Sequence, residues 1–208
     1  MSGEQKLKDG DEIIQELEFT NNCDLLFFTD KCQVYKAKAD DFAQTKASVL
    51  GDYVAAKLGF DEGENAVKMV VTKDYKGMLL FAFENGKVAK VPLESYATKT
   101  NRKKLTGAYS DKSPLVGLLY MPEDEEVLFK ASSGNMLLVH TGALALKTTR
   151  STQGVAVLKP KKGHRLFSIE RYKEGTFTNP KRYRTGSLPA RGALPVNDDS
   201  KDEQLSLI

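Results

Sequence analysis

A chain of 208 residues, 40% hydrophobic and 28% charged, is long enough to bury a core and ordinary in composition for a soluble globular protein. Its formal net charge of +3 does not by itself point to a polyanionic partner, so the placement of the charges matters more than their total. No run approaches the ~20 apolar residues of a membrane span, and no apolar leader opens the chain. Cys23 and Cys32 lack the paired spacing or nearby His of a zinc site. The expectation is a cytoplasmic protein with two reduced thiols, no metal and no cofactor.

In chain order, Gly3 to Gly10 reads as the end of an earlier unit, and Glu12 to Phe19 as a first strand-like run. Then comes a pattern that recurs roughly every 50 residues. An apolar run begins at Leu25, again at Leu79 and again at Val127. Each is followed by a polar turn and a second run that partly alternates, which predicts a β-hairpin; Glu84-Asn85-Gly86 and Ser132-Ser133-Gly134 supply turn residues that tolerate positive φ. Ala66 to Thr72 and Leu115 to Met121 precede the second and third hairpins as Glu12 to Phe19 precedes the first. Downstream of each lie an apolar or aromatic residue (Phe42, Tyr96, Leu144), a polar loop and a short fourth strand. Those fourth strands are expected near Tyr53, Ala108 and Val155, with Gly51, Gly107 and Gly154 before them.

Four strands per repeat is the count of a propeller blade. The expected fold class is all-β, a β-pinwheel or propeller-like array in a partial ring. Its units are expected at about 11–60, 65–112 and 113–159, with the start of a further unit at 163–172. Asp41 to Leu58 could pass for a short helix, but Gly51 and the β-branched residues argue against it. Beyond Tyr172, Gly, Pro, Thr and Arg dominate and apolar periodicity fades, so 173–208 reads as an extended or disordered tail.

The segment Asn85-Gly86-Lys87-Val88-Ala89-Lys90-Val91-Pro92-Leu93-Glu94-Ser95-Tyr96, followed by Lys99, Arg102, Lys103 and Lys104, resembles the repeat of the C-terminal domains of bacterial type IIA topoisomerase A subunits (gyrase and topoisomerase IV). The resemblance covers about residues 11 to 172. It implies a β-pinwheel whose rim binds and bends duplex DNA. It also implies two protein partners, the catalytic core of the parent topoisomerase and its ATPase subunit, with a nucleoid-associated location. The chain departs from the family in two respects. No glutamine-arginine-arginine-glycine-glycine-lysine-glycine box is present, and Lys99 to Leu105 and Thr149 to Gly154 lack its double glycine. None of the eight tyrosines sits in a cleavage motif, so the resemblance implies a non-catalytic domain of an ATP-dependent topoisomerase.

Binding duplex DNA without reading bases calls for Lys and Arg along a track of phosphates. The loop after the third strand of each repeat is where such cations gather: Lys46 in the first, Lys99, Arg102, Lys103 and Lys104 in the second, Lys147 and Arg150 in the third. Any one loop alone reads better as plain solvated surface; recurrence at the repeat period favours DNA. A second cluster, Lys159, Lys161, Lys162, His164 and Arg165, is a weaker candidate, because Lys-rich hairpin tips are common. Lys87 and Lys90 read as cover for a sheet edge, His140 as a core or edge histidine. In the tail, Lys181, Arg182, Arg184 and Arg191 offer a looser contact. Gln204-Leu205-Ser206-Leu207-Ile208 is similar to the bacterial sliding-clamp-binding pentapeptide, with Ile208 in place of the usual aromatic. The rival reading is a propeller-type module that binds an acidic protein and has no DNA role. An enzyme is the weakest option, since no nucleophile–base set or phosphate-binding glycine loop is found.

Overall fold

A computed structural model describes residues 6–98, 102–196 and 199. Its strands are β1 (Asp24–Thr29), β2 (Gln33–Lys38), β3 (Ala66–Thr72), β4 (Met78–Phe83), β5 (Lys87–Pro92), β6 (Lys104–Thr106), β7 (Leu115–Met121), β8 (Glu126–Ala131), β9 (Met136–His140), β10 (Val155–Ala156) and β11 (Leu166–Arg171), with one short α-helix, α1 (Val54–Leu58), and four 3-10 turns among the described residues. The first strand of each hairpin is apolar on both faces, as in β1 (Leu25, Leu26, Phe27, Phe28) and β4 (Leu79, Leu80, Phe81, Ala82). All of these side chains are buried, as expected of a strand covered on two sides.

The chain divides into two compact units, one of Met1–Tyr75 with Thr98–Ala108, the other of Lys76–Ala97 with Tyr109–Ile208. The first unit holds a four-stranded antiparallel blade in the order β3-β1-β2-β6. Phe27 faces Tyr35 across the hairpin, and Val34 faces Leu105. The second unit holds a blade in the order β10-β5-β4-β7 and another in the order β11-β8-β9. A shared core joins these two, with Leu80, Ala82 and Val88 from one and Val127, Phe129, Leu137 and Val139 from the other. Burying each large apolar side chain of this kind contributes about 1.5–3 kcal/mol relative to leaving it in water.

Strand pairing crosses the sequence repeats. The β1–β2 hairpin is flanked by β3 and β6, which belong by sequence to the second repeat, and β4–β5 is flanked by β7 and β10 from the third. Alternation along a run sets which face is buried, but not which sheet edge the run joins. Two expected strands are absent. Glu12 to Phe19 forms none, and at Tyr53 the chain enters α1 instead. The Ala-Ala-Lys-Leu run favours a helix there. Val54 and Leu58, one turn apart, pack against the Leu25, Phe27, Tyr35, Ala37 cluster.

The third blade gains its fourth edge from the expected tail. Met136 bridges to Ala193 and Leu138 to Arg184. Phe177 (5% exposed) and Tyr183 (1%) pack on Leu128, Met136 and Leu138. The Tyr183 hydroxyl donates to Asp199 at 2.5 Å. Residues 173–196 include a 3-10 turn at Pro180–Arg182 and pack against the third blade, because two aromatic anchors are enough to hold a segment without regular apolar periodicity.

Candidate nucleic-acid interface

In every blade, the chain returning toward the fourth edge meets the middle of the hairpin's second strand. The Lys36 amide donates to the Lys103 carbonyl (2.7 Å), the Lys147 amide to the Lys90 carbonyl (2.8 Å), and the Leu138 amide to the Tyr183 carbonyl (2.8 Å). A cation therefore stands at or beside the same place in each: Lys103, Lys147 and Arg184. The blade repeat spaces these basic residues, which the sequence repeat only suggests.

The richest group lies in the first unit. A cleft of about 370 Å³ is lined by Lys36, Lys38, Arg102 and Lys103, with Thr98, Asp24 and Asp41. Four cations face two carboxylates. Lys36 Nζ donates to Thr98 Oγ1 (3.0 Å) and lies 5.0 Å from the centre of the Tyr75 ring. Burial pulls the Lys36 pKa below its ordinary value, with Asp24 opposing. Asp24 is itself occupied: Lys38 pairs with it and the Tyr75 hydroxyl donates to it at 2.7 Å. Burial pushes the Asp24 carboxyl up, but these two hydrogen bonds outweigh that and hold it below the usual aspartate range. The same contact, added to burial, raises the Tyr75 hydroxyl. Arg102 and Lys103 stand exposed at the mouth. Lys36 and Lys38 are not among the cations singled out from the sequence. Their signal is there all the same, since residues two apart on a strand share a face.

Other expected contacts are differently placed. Lys46 is exposed in the loop after β2. Lys104 is engaged with Asp61 (2.8 Å) and lies over the Tyr35 ring, and the Asp61 hydrogen bond raises its pKa. Solvent screens an ion pair in such an exposed place, so a phosphate can compete for the lysine. Arg150 is half-buried; one guanidinium nitrogen donates to the Ser95 carbonyl (3.0 Å), while its Nε is buried without a hydrogen-bond partner. Lys147 is exposed in the same loop. Lys161 and Lys162 are exposed on the turn before β11, and Arg165 pairs with Glu84 at 3.3 Å. Arg184 is held by both Glu126 oxygens at 2.6 Å.

Lys90 is not a sheet-edge cover. It is 5% exposed and donates to Asp124 (3.0 Å) and to the Thr141 carbonyl (2.9 Å), a structural cation fastening the turn after β9. His140 is an exposed residue at the end of β9 whose Nδ1 accepts from the Gly142 amide. Lys99 and the pentapeptide Gln204, Leu205, Ser206, Leu207 and Ile208 lie outside the described residues. Among the described residues no cluster of His, Cys, Asp or Glu could hold a metal ion, and no helix is long and apolar enough to cross a membrane.

No family model matches the chain. It is 28% identical over 171 residues to the DNA gyrase A protein of Mycobacterium bovis (strain BCG / Pasteur 1173P2), covering 80% of this chain and 20% of the relative. It is also 28% identical over 182 residues to the DNA gyrase A protein of Streptomyces coelicolor (strain ATCC BAA-471 / A3(2) / M145), covering 83% and 21%. The chain therefore spans about a fifth of the length of these curated relatives. Among solved structures it matches the C-terminal domain of DNA topoisomerase IV with a TM-score of 0.71 and 23% identity, over 83% of this chain and 54% of that one. The DNA gyrase A C-terminal domain matches with a TM-score of 0.60 and 19% identity, over 92% and 68%.

Proposed function

We propose that this chain, which has the all-β pinwheel fold of gyrase A and topoisomerase IV C-terminal domains, is a non-catalytic module that binds and bends duplex DNA for a type IIA topoisomerase. Strand cleavage and ATP use belong in this reading to the parent enzyme's catalytic core and ATPase subunit. The sliding clamp is a further partner proposed for the tail pentapeptide. One observation carries the DNA reading: a basic residue recurs beside the middle of the same strand in each blade, at Lys103, Lys147 and Arg184.

Contacts of this kind are made to phosphates, so affinity is independent of sequence and falls steeply with salt. Bending a 20–30 base-pair segment by 40–90° costs about 1–6 kcal/mol, which several phosphate contacts offset at low salt. The test is fluorescence anisotropy with a duplex of ~40 base pairs in two unrelated sequences across a salt series. The expected result is one steep log–log slope shared by both sequences. Replacing Arg102 and Lys103 by Ala lowers that slope by about 2 and weakens binding to both sequences alike. A slope unchanged by the double substitution removes the first-unit cleft from the interface; absence of binding at low salt overturns the DNA reading.

A further inference from the structure

Matching positions in the three blades carry different charges. The first residue of each hairpin faces its partner across the ladder: Asp24 opposite Lys38, Met78 opposite Pro92 and Glu126 opposite His140. These pairs lie two residues on from Lys36, Lys90 and Leu138, where the returning chain docks. The first and third blades thus place a carboxylate beside the cations that the DNA reading assigns to phosphate. The second blade places the thioether of Met78 there.

In the first blade both Asp24 oxygens are taken. Lys38 pairs with one, and the Tyr75 hydroxyl donates to the other at 2.7 Å. The Asp24 side chain is 18% exposed and that of Lys38 66%, so the lysine reaches from solvent to a more buried carboxylate. Tyr75 takes φ +56°, uncommon for a non-glycine residue, and its amide donates to the Thr72 hydroxyl (2.8 Å), a turn that carries the ring to Asp24. In the third blade Glu126 lines a second cleft, of about 450 Å³, with His140, Arg184 and Thr185. Arg184 holds both Glu126 oxygens at 2.6 Å. Those bonds keep the Glu126 carboxyl below the usual glutamate range, against burial. With Asp24 held low as well, both groups are ionised at neutral pH. A carboxylate on an ammonium or a guanidinium makes the same charge-assisted hydrogen bonds as a phosphate oxygen. In the second blade Lys147 stands exposed.

We infer that Asp24 and Glu126 are internal competitors of the DNA phosphates, each occupying in the free protein a cation that its blade offers to DNA: Lys38 in the first blade and Arg184 in the third. The second blade meets a phosphate directly through Lys147, while the other two exchange a carboxylate of their own for a phosphate. The inference rests on the DNA reading and adds to it two affinity-limiting residues that are themselves negative. Both ion pairs open to solvent on the cation's side, so a phosphate can displace the carboxylate. The displaced carboxylate then repels the phosphate that replaced it. Affinity and salt dependence are therefore both lower than the number of cations alone gives.

The test measures binding of a ~40 base-pair duplex to the full chain across a salt series for Asp24→Asn, Glu126→Gln and the double variant. Each replacement keeps the side chain's size and one accepting oxygen, which in Asp24→Asn still receives the Tyr75 hydroxyl. Each single variant is expected to bind about 3- to 5-fold more tightly at fixed salt. Each also steepens the log–log slope by about 1, and the double variant by about 2, because every freed cation meets a further phosphate. Adding Lys38→Ala to Asp24→Asn, or Arg184→Ala to Glu126→Gln, removes the gain. If Glu126→Gln loosens the third-blade edge, which amide hydrogen exchange across 177–184 reports, the Asp24 and Lys38 cycle alone decides. Affinity and slope unchanged in Asp24→Asn, with the wild type bound, overturn the inference and leave the DNA reading standing. A gain that survives Lys38→Ala, or that comes without a steeper slope, overturns it in favour of a general loss of negative charge. No binding at low salt by the wild type or any variant overturns the DNA reading, and the inference with it.

Discussion

Residues 49–53 and residues 190–194 each carry a central glycine and at least one large apolar residue, and end in opposite states. The second lies on the edge of β9, with the amide of Met136 donating to the carbonyl of Ala193 and the amide of Ala193 to that of Met136. The first is exposed and gives way to a helix. The nearby aromatics show the same contrast: Tyr183 is 1% exposed and Tyr53 78%. What differs is the presence of a hairpin edge. Strand propensity is a fit to a pleated, half-buried surface, and without that surface it has nothing to act on.

The largest effect that would break this comparison is at the glycines. Gly154→Val and Gly192→Val each force a side chain into a backbone carbonyl at a left-handed φ, and are expected to cost about 3 kcal/mol or more in denaturant titrations. Gly51→Val is expected to change stability by less than about 0.5 kcal/mol. Equal costs at all three positions would show that 49–53 is paired after all.

Tyrosine truncation sharpens the same contrast. Tyr183→Ala removes a buried ring that touches Phe177 and the third-blade face, with an expected loss of about 3–5 kcal/mol. Tyr53→Ala should lie within about 0.5 kcal/mol of wild type.

A mid-sized effect belongs to the first blade. Glu64 is 4% exposed and accepts hydrogen bonds from Thr29, Gln33 (2.9 Å), Tyr35 (2.7 Å) and the Asp61 amide (2.8 Å). Glu64→Ala orphans several buried donors at once and should cost about 2–3 kcal/mol. Burial pushes the Glu64 carboxyl up, but hydrogen bonds led by Thr29 and Tyr35 hold it below its usual 4.5. With the folded pKa the lower of the two, its stabilising share is full above the unfolded value and is lost as pH falls through the folded one. Thermal melts at descending pH should lose less between about pH 5 and pH 3 in Glu64→Gln than in wild type.

One expected effect is a gain. Cys32 takes φ +54° at the hairpin position where Gly86 and Gly134 have +80° and +81°. Cys32→Gly is therefore expected to stabilise the first unit by about 1 kcal/mol, measured by urea unfolding.

Much of the blade was legible in the residues. The doubly apolar runs at Leu25, Leu79 and Val127 announced buried central strands, and Asn85-Gly86 and Ser133-Gly134 announced the turns between strands. Those features act through neighbours a few positions away, so a linear reading finds them. The basic pair Arg102 and Lys103 was legible for the same reason. Lys36 and Lys38 became part of its cleft only because β6 returns to the edge of β2 from a distant part of the chain.

By itself, then, the sequence determined the hairpin strands, their buried faces and the period at which cations recur, because alternation and turn chemistry are local. Tertiary structure alone decided which repeat completes which blade, that Lys90 is buried against Asp124 while Lys103 is exposed, and that Phe177 and Tyr183 turn a polar-looking tail into a closing edge. Those outcomes depend on edges, carbonyls and apolar surfaces brought together from distant parts of the chain, and no short window of residues contains both partners.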